Sequence, residues 1–263
     1  MNMMDIIRTR KSVRTFDGRP LSEADRQKLL AYIETITNPW DIPVKFVLLD
    51  AGEHGLSSPV IAGERLYIAA KVPKAEHCEE AYGYSFEQMV LYAWSLGIGT
   101  TWIGGTMKRE LFEKAANVGA DEYMPIVSPL GYLAKERTAV EIKLRNNIRG
   151  DERLPVSELF YDGDFSRPVA ASDDLLEAAR WSPSAANMQP CRVVLDGNKY
   201  HFYEKRAKGY EKQSGWDVQR IDVGIAICHL MSVAGGVCAV DDPGIAVGAD
   251  TEYIATVTVS SLS

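Results

Sequence analysis

The sequence predicts an α+β fold built from two diverged half-repeats, and three observations carry that reading. Helical and strand-like periodicities interleave irregularly along the chain, without the strict alternation of a parallel α/β sheet. A frame of helix, proline-terminated loop and apolar strand closed by aspartate occurs twice, as LLAYIETITNPWDIPVKFVLLD (Leu29–Asp50) and LLEAARWSPSAANMQPCRVVLD (Leu175–Asp196), with Pro43 and Pro190 one residue out of register. A weaker match follows in the same order: Ser85–Trp102 lies over Asp222–Val240, each a long helix broken by glycines and followed by a strand. Two matches in one order point to duplication. The polar stretch Tyr161–Ser172 is the natural junction, giving halves at residues 1–165 and 166–263.

Each element has a local reason. Ser22 is placed to cap a first helix, with Asp25 three residues on and an apolar stripe at Leu29, Leu30, Ile33 and Ile36. A second helix spans about Glu80 to Leu96 and stops at Gly97. A third spans about Val218 to Ala234 and stops at Gly235-Gly236, with Ile221, Ile225, Cys228, His229 and Ser232 on a mixed, largely buried circumference. Strand-like runs are Val44–Leu49, Gly99–Ile103, Pro125–Tyr132, Arg192–Leu195 and Tyr253–Val259.

Composition bounds the function. With 263 residues, 46% hydrophobic and 25% charged, the chain can bury a sizeable core and sits at globular averages. Its net charge of -7 argues against a general nucleic-acid binder, so an anionic ligand needs a local basic cluster. The four cysteines lack CxxC spacing and read as reduced, mostly buried thiols. The histidines are scattered, and no metal is expected. The N-terminal stretch has no apolar signal-like run and no segment has the length of a membrane span, so a cytoplasmic protein is expected.

Two segments carry candidate chemistry. Arg8-Thr9-Arg10-Lys11-Ser12-Val13-Arg14 places four cations and a serine hydroxyl within seven residues; it reads as a solvated basic surface or as a phosphate cradle. Ser182-Pro183-Ser184-Ala185-Ala186-Asn187-Met188-Gln189-Pro190 is a loop of small polar residues between two prolines. It reads as an ordinary connector or as a platform where the backbone and the Asn187 and Gln189 amides meet the edge of a flat heteroaromatic ligand. Gly97-Ile98-Gly99 is not a dinucleotide fingerprint, because Trp102 stands where the third glycine belongs. Tyr200, Phe202, Tyr203 and Tyr210 could line a pocket or simply pack.

On these motifs the chain resembles the nitroreductase family of FMN-dependent oxidoreductases. RTRKSVRTF resembles the family's N-terminal R-[R/H]-S-x-[R/K]-x-F element, and SPSAANMQP its A-P-S-x-x-N-x-Q-P-W loop. SLGIGTTWIGG resembles its long helix and following strand, Leu130-Gly131-Tyr132 its strand end, and RLPVSELF (Arg153–Phe160) its R-x-P tail. The resemblance implies a nitroreductase-like fold of mixed and antiparallel sheets flanked by helices. In that family each FMN is held by the basic element of one subunit and the loop of its partner. Here the basic element lies in the first half and the loop in the second, while TITNPWDIP (Thr35–Pro43) and DGDFSRPVAASDD stand where the complementary pair would be. The resemblance therefore implies an intrachain pseudo-dimer with one FMN, able to act as a monomer.

Residue roles follow from the same resemblance. Arg10, Ser12 and Arg153 would hold the phosphate and ribityl end, with Lys11 a further candidate. Arg14 would stand near the N1 and O2 edge of the flavin, where a cation stabilises negative charge on the reduced ring. Trp102, Ile103, Gly104 and Gly105 would lie beneath the ring with a backbone N–H toward N5, and Pro183, Ser184, Asn187 and Gln189 would contact its edge. Cys191 replaces the family's tryptophan, implying a roomier pocket. The implied activity is hydride transfer from NAD(P)H through FMN to a nitroaromatic, quinone or similar planar acceptor, with no side-chain nucleophile. The alternatives are a non-catalytic FMN-binding or storage protein, or other flavin chemistry such as dehalogenation or flavin breakdown.

Overall fold

Ser22 opens the first long helix where its spacing predicts, but the capping box closes through a third residue. In the computed structural model, which describes residues 2–208 and 215–260, the Asp25 N–H donates to Ser22 Oγ at 3.1 Å. The return bond is replaced by Tyr132, whose hydroxyl accepts from the Ser22 N–H at 3.1 Å and donates to Asp25 Oδ2 at 2.5 Å. A residue 107 positions away thus ties the helix start to the end of a strand.

In chain order the elements are α1 (Met3–Thr9), α2 (Glu23–Ile33), β1 (Lys45–Asp50), α3 (Ala51–His54), β2 (Leu66–Pro73), α4 (Cys78–Ser95), β3 (Ile98–Gly99), α5 (Arg109–Ala115), β4 (Glu122–Tyr123) and β5 (Val127–Tyr132). They continue with α6 (Ala139–Asn147), α7 (Val156–Leu159), β6 (Phe160–Asp162), α8 (Asp174–Arg180), β7 (Cys191–Asp196), β8 (Lys199–Lys205), α9 (Val218–Ala234), β9 (Val237–Ala239) and β10 (Thr251–Thr258). This is an α+β fold with two five-stranded sheets. The first runs β1-β2-β5-β3 with β4 beside β2; the second runs β6-β7-β8-β10-β9. All pairs are antiparallel except β6 with β7. β1 and β7 end at Asp50 and Asp196, as the sequence frame predicts, and each turns back into an antiparallel neighbour.

Several boundaries differ from the sequence expectation. Of the run Gly99–Ile103 only Gly99 lies in a strand (Ile98–Gly99); beyond it Thr100 pairs with Ser12 of the N-terminal segment and Ile103 with Val127 of β5, each as an isolated bridge. Leu30 is exposed, so the α2 stripe that packs inward centres on Leu29. β2 and β8 were not expected from sequence. β8 alternates Lys, Tyr, His, Phe, Tyr and Glu, yet its middle is buried on both faces by the core and by the aromatic cluster of Phe165, Tyr203 and Tyr253. Tyr200, Phe202 and Tyr203 are buried packing residues; Tyr210 lies outside the described residues.

The two sheets meet through α4 and α9, which cross with their backbones in contact. A Cβ built on Gly83 would stand 2.1 Å from the Ile221 carbonyl oxygen, and one on Gly224 would stand 2.2 Å from that of Glu80. Only glycine fits at either position. Burial around the crossing is nearly complete, from Cys78 to Ala93 on α4 and from Ile221 to Leu230 on α9. Acidic groups are trapped beside it. Glu204 on β8 is fully buried and faces Arg206 at 3.4 Å and Arg220 at 3.7 Å without a hydrogen bond to either carboxylate oxygen. Burial, reinforced by nearby Asp217, pushes its carboxyl up to about 7.

Two stability outcomes follow. Gly83→Ala and Gly224→Ala each force the helices apart and lower unfolding free energy by about 1–3 kcal/mol or more in urea melts. A carboxyl with a raised folded pKa contributes stability at low pH that is lost as pH rises through about 7. Glu204→Gln therefore stabilises the protein more at pH 8 than at pH 5; an equal effect at both contradicts the buried-acid reading.

Candidate functional site

Beyond α1 the basic segment runs extended beside β3, and glycine sets its approach. The Val13 N–H donates to the Thr100 carbonyl at 2.8 Å, Ser12 bridges Thr100, and a Cβ on Gly99 would lie 2.8 Å from the Val13 side chain. Arg10 and Arg14 turn inward and are buried, whereas Lys11 is exposed. Lys11 and Ser12 line an open groove of about 600 Å³ shared with Leu133, Lys135 and Glu141. Helix α6 lies over the segment: Glu141 accepts from the Arg14 N–H at 3.2 Å and from the Thr15 hydroxyl at 2.7 Å, and Arg145 donates to the Ser12 carbonyl at 3.2 Å.

Four arginines thereby converge. Burial pushes the guanidinium groups of Arg10 and Arg14 down from their ordinary range, opposed by Glu87 and Glu141 respectively and reinforced in both by Arg145. Arg153 is pushed down to about 10 by burial and then by Arg10. The answering carboxylates satisfy only part of this charge. Glu87 stands 3.8 Å from Arg10 Nε, too far for a hydrogen bond, and Asp151, paired with Arg145, is largely exposed. Among the described residues four arginines keep a buried guanidinium nitrogen with no hydrogen bond, and three of them, Arg10, Arg14 and Arg153, are here. Buried donors without acceptors cost free energy, and an anion placed among them would relieve it.

The 182–190 loop reaches the same place through the segment that carries Arg153. Arg153 Nη1 donates to Asn187 Oδ1 at 3.5 Å, and its guanidinium stacks 5.0 Å over Trp181. Asn187 Nδ2 donates to the carbonyls of Arg149 at 2.8 Å and Glu152 at 3.1 Å, while Gln189 Oε1 accepts from the Leu154 N–H at 2.9 Å. Ser184 Oγ accepts from the Gln189 N–H at 2.9 Å. The polar atoms expected at a ring edge thus stitch the loop to the segment bearing Arg153. Ala186, Asn187 and Gln189 all have positive φ, an unusual density of left-handed non-glycine residues, held by these bonds and by buried Asp222, which accepts from the Ala185 N–H at 3.1 Å. Burial raises the Asp222 carboxyl well above its usual range. Pro183 is partly buried, and the cavity beside Ser184, Cys191 and Asp222 holds only about 20 Å³. Burial keeps the Cys191 thiol up at about 12, hence neutral.

One carboxylate joins the segment after β3 to both α4 and α9. Glu87, fully buried on α4, accepts from Trp102 Nε1 at 3.1 Å and faces His229 Nε2 at 2.9 Å, while His229 Nδ1 meets the Ala178 carbonyl at 3.0 Å. Both ring nitrogens of His229 thus face oxygen atoms inside the core. Trp102 and Ile103 spend their side chains on packing, Trp102 against Phe86 and Ile103 in the core beneath the first sheet. Gly104 is partly exposed and Gly105 exposed, and the N–H groups of Gly104, Gly105 and Thr106 have no partner among the described residues. Sequence reasoning missed Arg145, Glu87 and Asp222. The spacing of Glu141 and Arg145, four apart on one helix face, is the one signal that marked α6 as buried on a charged side.

Residues 2–234 match the model of a family described as "Putative TM nitroreductase". The chain is similar to a solved structure described as a putative nitroreductase from Thermotoga maritima, with 20% identity, a TM-score of 0.62 and coverage of 98% of this chain and 94% of that one. That likeness shows the fold. It is also similar to a nitroreductase family protein from Clostridium difficile 630 (15% identity, TM-score 0.48, 60% and 96% covered). A third similar structure is an FMN-dependent nitroreductase from Clostridium difficile R20291 (16%, TM-score 0.44, 51% and 89% covered). No curated protein matches the chain in sequence. With the family model spanning nearly the whole chain, the protein belongs to the TM nitroreductase family.

Proposed function

We propose that the chain is an FMN-dependent oxidoreductase that binds one FMN at the seam between two half-repeats, with NAD(P)H as reductant and a nitroaromatic, quinone or similar planar compound as acceptor. The observation that carries the reading is the arginine cluster: Arg10, Arg14 and Arg153 each keep a buried guanidinium nitrogen with no hydrogen bond, and a phosphate monoester supplies acceptor oxygens and negative charge. The donor set therefore fits the phosphate of FMN. FMN, when bound, supplies the hydride chemistry.

The chain's own residues bind and orient. Arg10, Arg145 and Arg153 hold the phosphate, Ser12 the ribityl end and Arg14 the N1 and O2 edge, with exposed Lys11 at the margin. The free N–H groups of Gly104 and Gly105 meet the ring from the first half, beyond Trp102 and Ile103. The strained loop with Pro183, Ser184, Asn187 and Gln189 closes the site from the second half and keeps Arg153 aimed by the bonds it makes to the 149–154 segment. Three features support the half-repeat reading: the matching sequence frames, the shared antiparallel order of β1-β2-β5-β3 and β7-β8-β10-β9, and the reciprocal contacts of Gly83 and Gly224, which are of the kind a two-fold axis generates. With the seam inside one chain, a monomer suffices.

FMN binds at least about a hundredfold more tightly than riboflavin, since at the least the unpartnered nitrogens of Arg10 and Arg153 gain charge-assisted bonds to the phosphate, and Arg153→Gln lowers FMN affinity about tenfold or more while leaving riboflavin nearly unchanged. Equal wild-type affinities in a fluorescence titration contradict the phosphate site. In stopped-flow mixing NADH or NADPH bleaches the bound flavin; no bleaching by either removes the oxidoreductase assignment.

A further inference from the structure

The turn after β3 is gripped by a residue that neither the motifs nor the arginine cradle accounts for. Arg109, the first residue of α5, sends Nη2 to the Gly104 carbonyl at 3.0 Å and to the Pro125 carbonyl at 3.0 Å, and Nη1 to the Met124 carbonyl at 2.6 Å. Its guanidinium lies 4.6 Å over the ring of Trp216, which belongs to the second half, and Trp216 in turn packs edge-on against Tyr123. On the upstream side the turn is pinned by Ile103, which exchanges both backbone hydrogen bonds with Val127 at 2.9 Å. Gly104 is itself confined, since a Cβ there would sit 3.0 Å from Ile126.

This grip fixes the direction of one peptide. No peptide bond is cis among the described residues, and in a planar trans peptide the carbonyl and the following N–H point opposite ways. With the Gly104 oxygen drawn inward to Arg109, the Gly105 N–H points outward. It has no partner among the described residues, and neither has that of Gly104 or Thr106. Gly105 is exposed, with nothing within 4 Å of a built Cβ. The result is a short run of free donors whose orientation is set from behind by one guanidinium.

We propose that Arg109, clamped under Trp216, is a positioning residue that holds the Gly104–Gly105 peptide with its N–H toward the flavin ring, so that the second half controls a ring contact made by the first. The inference rests on the flavin reading above. It predicts an energetic signature opposite to that of the phosphate arginines, because the ring is common to FMN and riboflavin whereas the phosphate is not.

The test is fluorescence titration of wild type, Arg109→Gln and Trp216→Ala with FMN and with riboflavin, alongside the visible spectrum of each complex and its thermal midpoint. In folded Arg109→Gln both affinities fall by the same factor, about tenfold, the FMN-to-riboflavin ratio stays at the wild-type value, and the bound-flavin bands move toward those of free flavin. Trp216→Ala gives the same pattern at smaller amplitude and carries the test alone if Arg109→Gln does not fold. Unchanged riboflavin affinity and spectrum in the folded variant overturn the role of Arg109, as does a loss confined to FMN. Failure of the wild-type protein to bind either flavin removes the underlying flavin reading, which these variant comparisons leave separate.

Discussion

The backbone contact between α4 and α9 is the constraint on which the rest of the structure depends. Two glycines, Gly83 and Gly224, let the helices touch closely enough that each one's carbonyl occupies the space of the other's missing Cβ. Several of the contacts that gather the candidate site radiate from this crossing. One turn along, Glu87 and His229 meet in a fully buried pair that also receives Trp102, and Arg10 approaches the same carboxylate. Asp222, two residues before Gly224, anchors the Ala185 N–H of the strained loop. Ser85, two residues after Gly83, receives a bond from Asn38 Nδ2 in the Thr35–Pro43 segment, at 3.2 Å. A wider crossing would separate the very segments that converge on the candidate site.

That site is built against ordinary folding preferences. Clustered arginines are buried with too few acceptors, and a loop carries three left-handed non-glycine residues within four positions. Such features lower stability by themselves and persist where surrounding packing over-determines them. Here the over-determination is visible as side-chain bonds from Asn187, Gln189, Ser184 and Asp222, all of which hold backbone rather than one another. The basic segment is equally fixed, by Thr100, Glu141 and Arg145. Preorganised donors are the form that recognition of an anion takes in a protein whose overall charge is negative.

Much of the frame was legible in the sequence, and the reasons for the rest are physical. Ser22, the glycine stops after Leu96 and Ala234, and the paired frames ending at Asp50 and Asp196 announce their elements through local chemistry. β2 is a short apolar run rich in alanine, which periodicity cannot separate from a buried helix segment. β8 is buried on both faces, so its alternation carries no information about an inner side. At the site, Arg10, Arg14 and the 182–190 loop stand out because their residues cluster in sequence, and Arg153 stands out through the resemblance of its RLP context to the family's R-x-P tail. Arg145, Glu87 and Arg109 do not, because each acts across a long separation in the chain and looks in sequence like an ordinary helical charge. The internal bonding of Asn187 and Gln189 was equally hidden, since their amides could serve ligand or backbone.

The proposed function requires one anionic cofactor per chain, held between residues of the N-terminal segment and the 182–190 loop. Native mass spectrometry of the protein saturated with FMN measures this most directly. One flavin per single chain is the predicted result; two per chain would contradict the division of labour between the halves, and none would contradict the reading of the arginine cluster as a phosphate site.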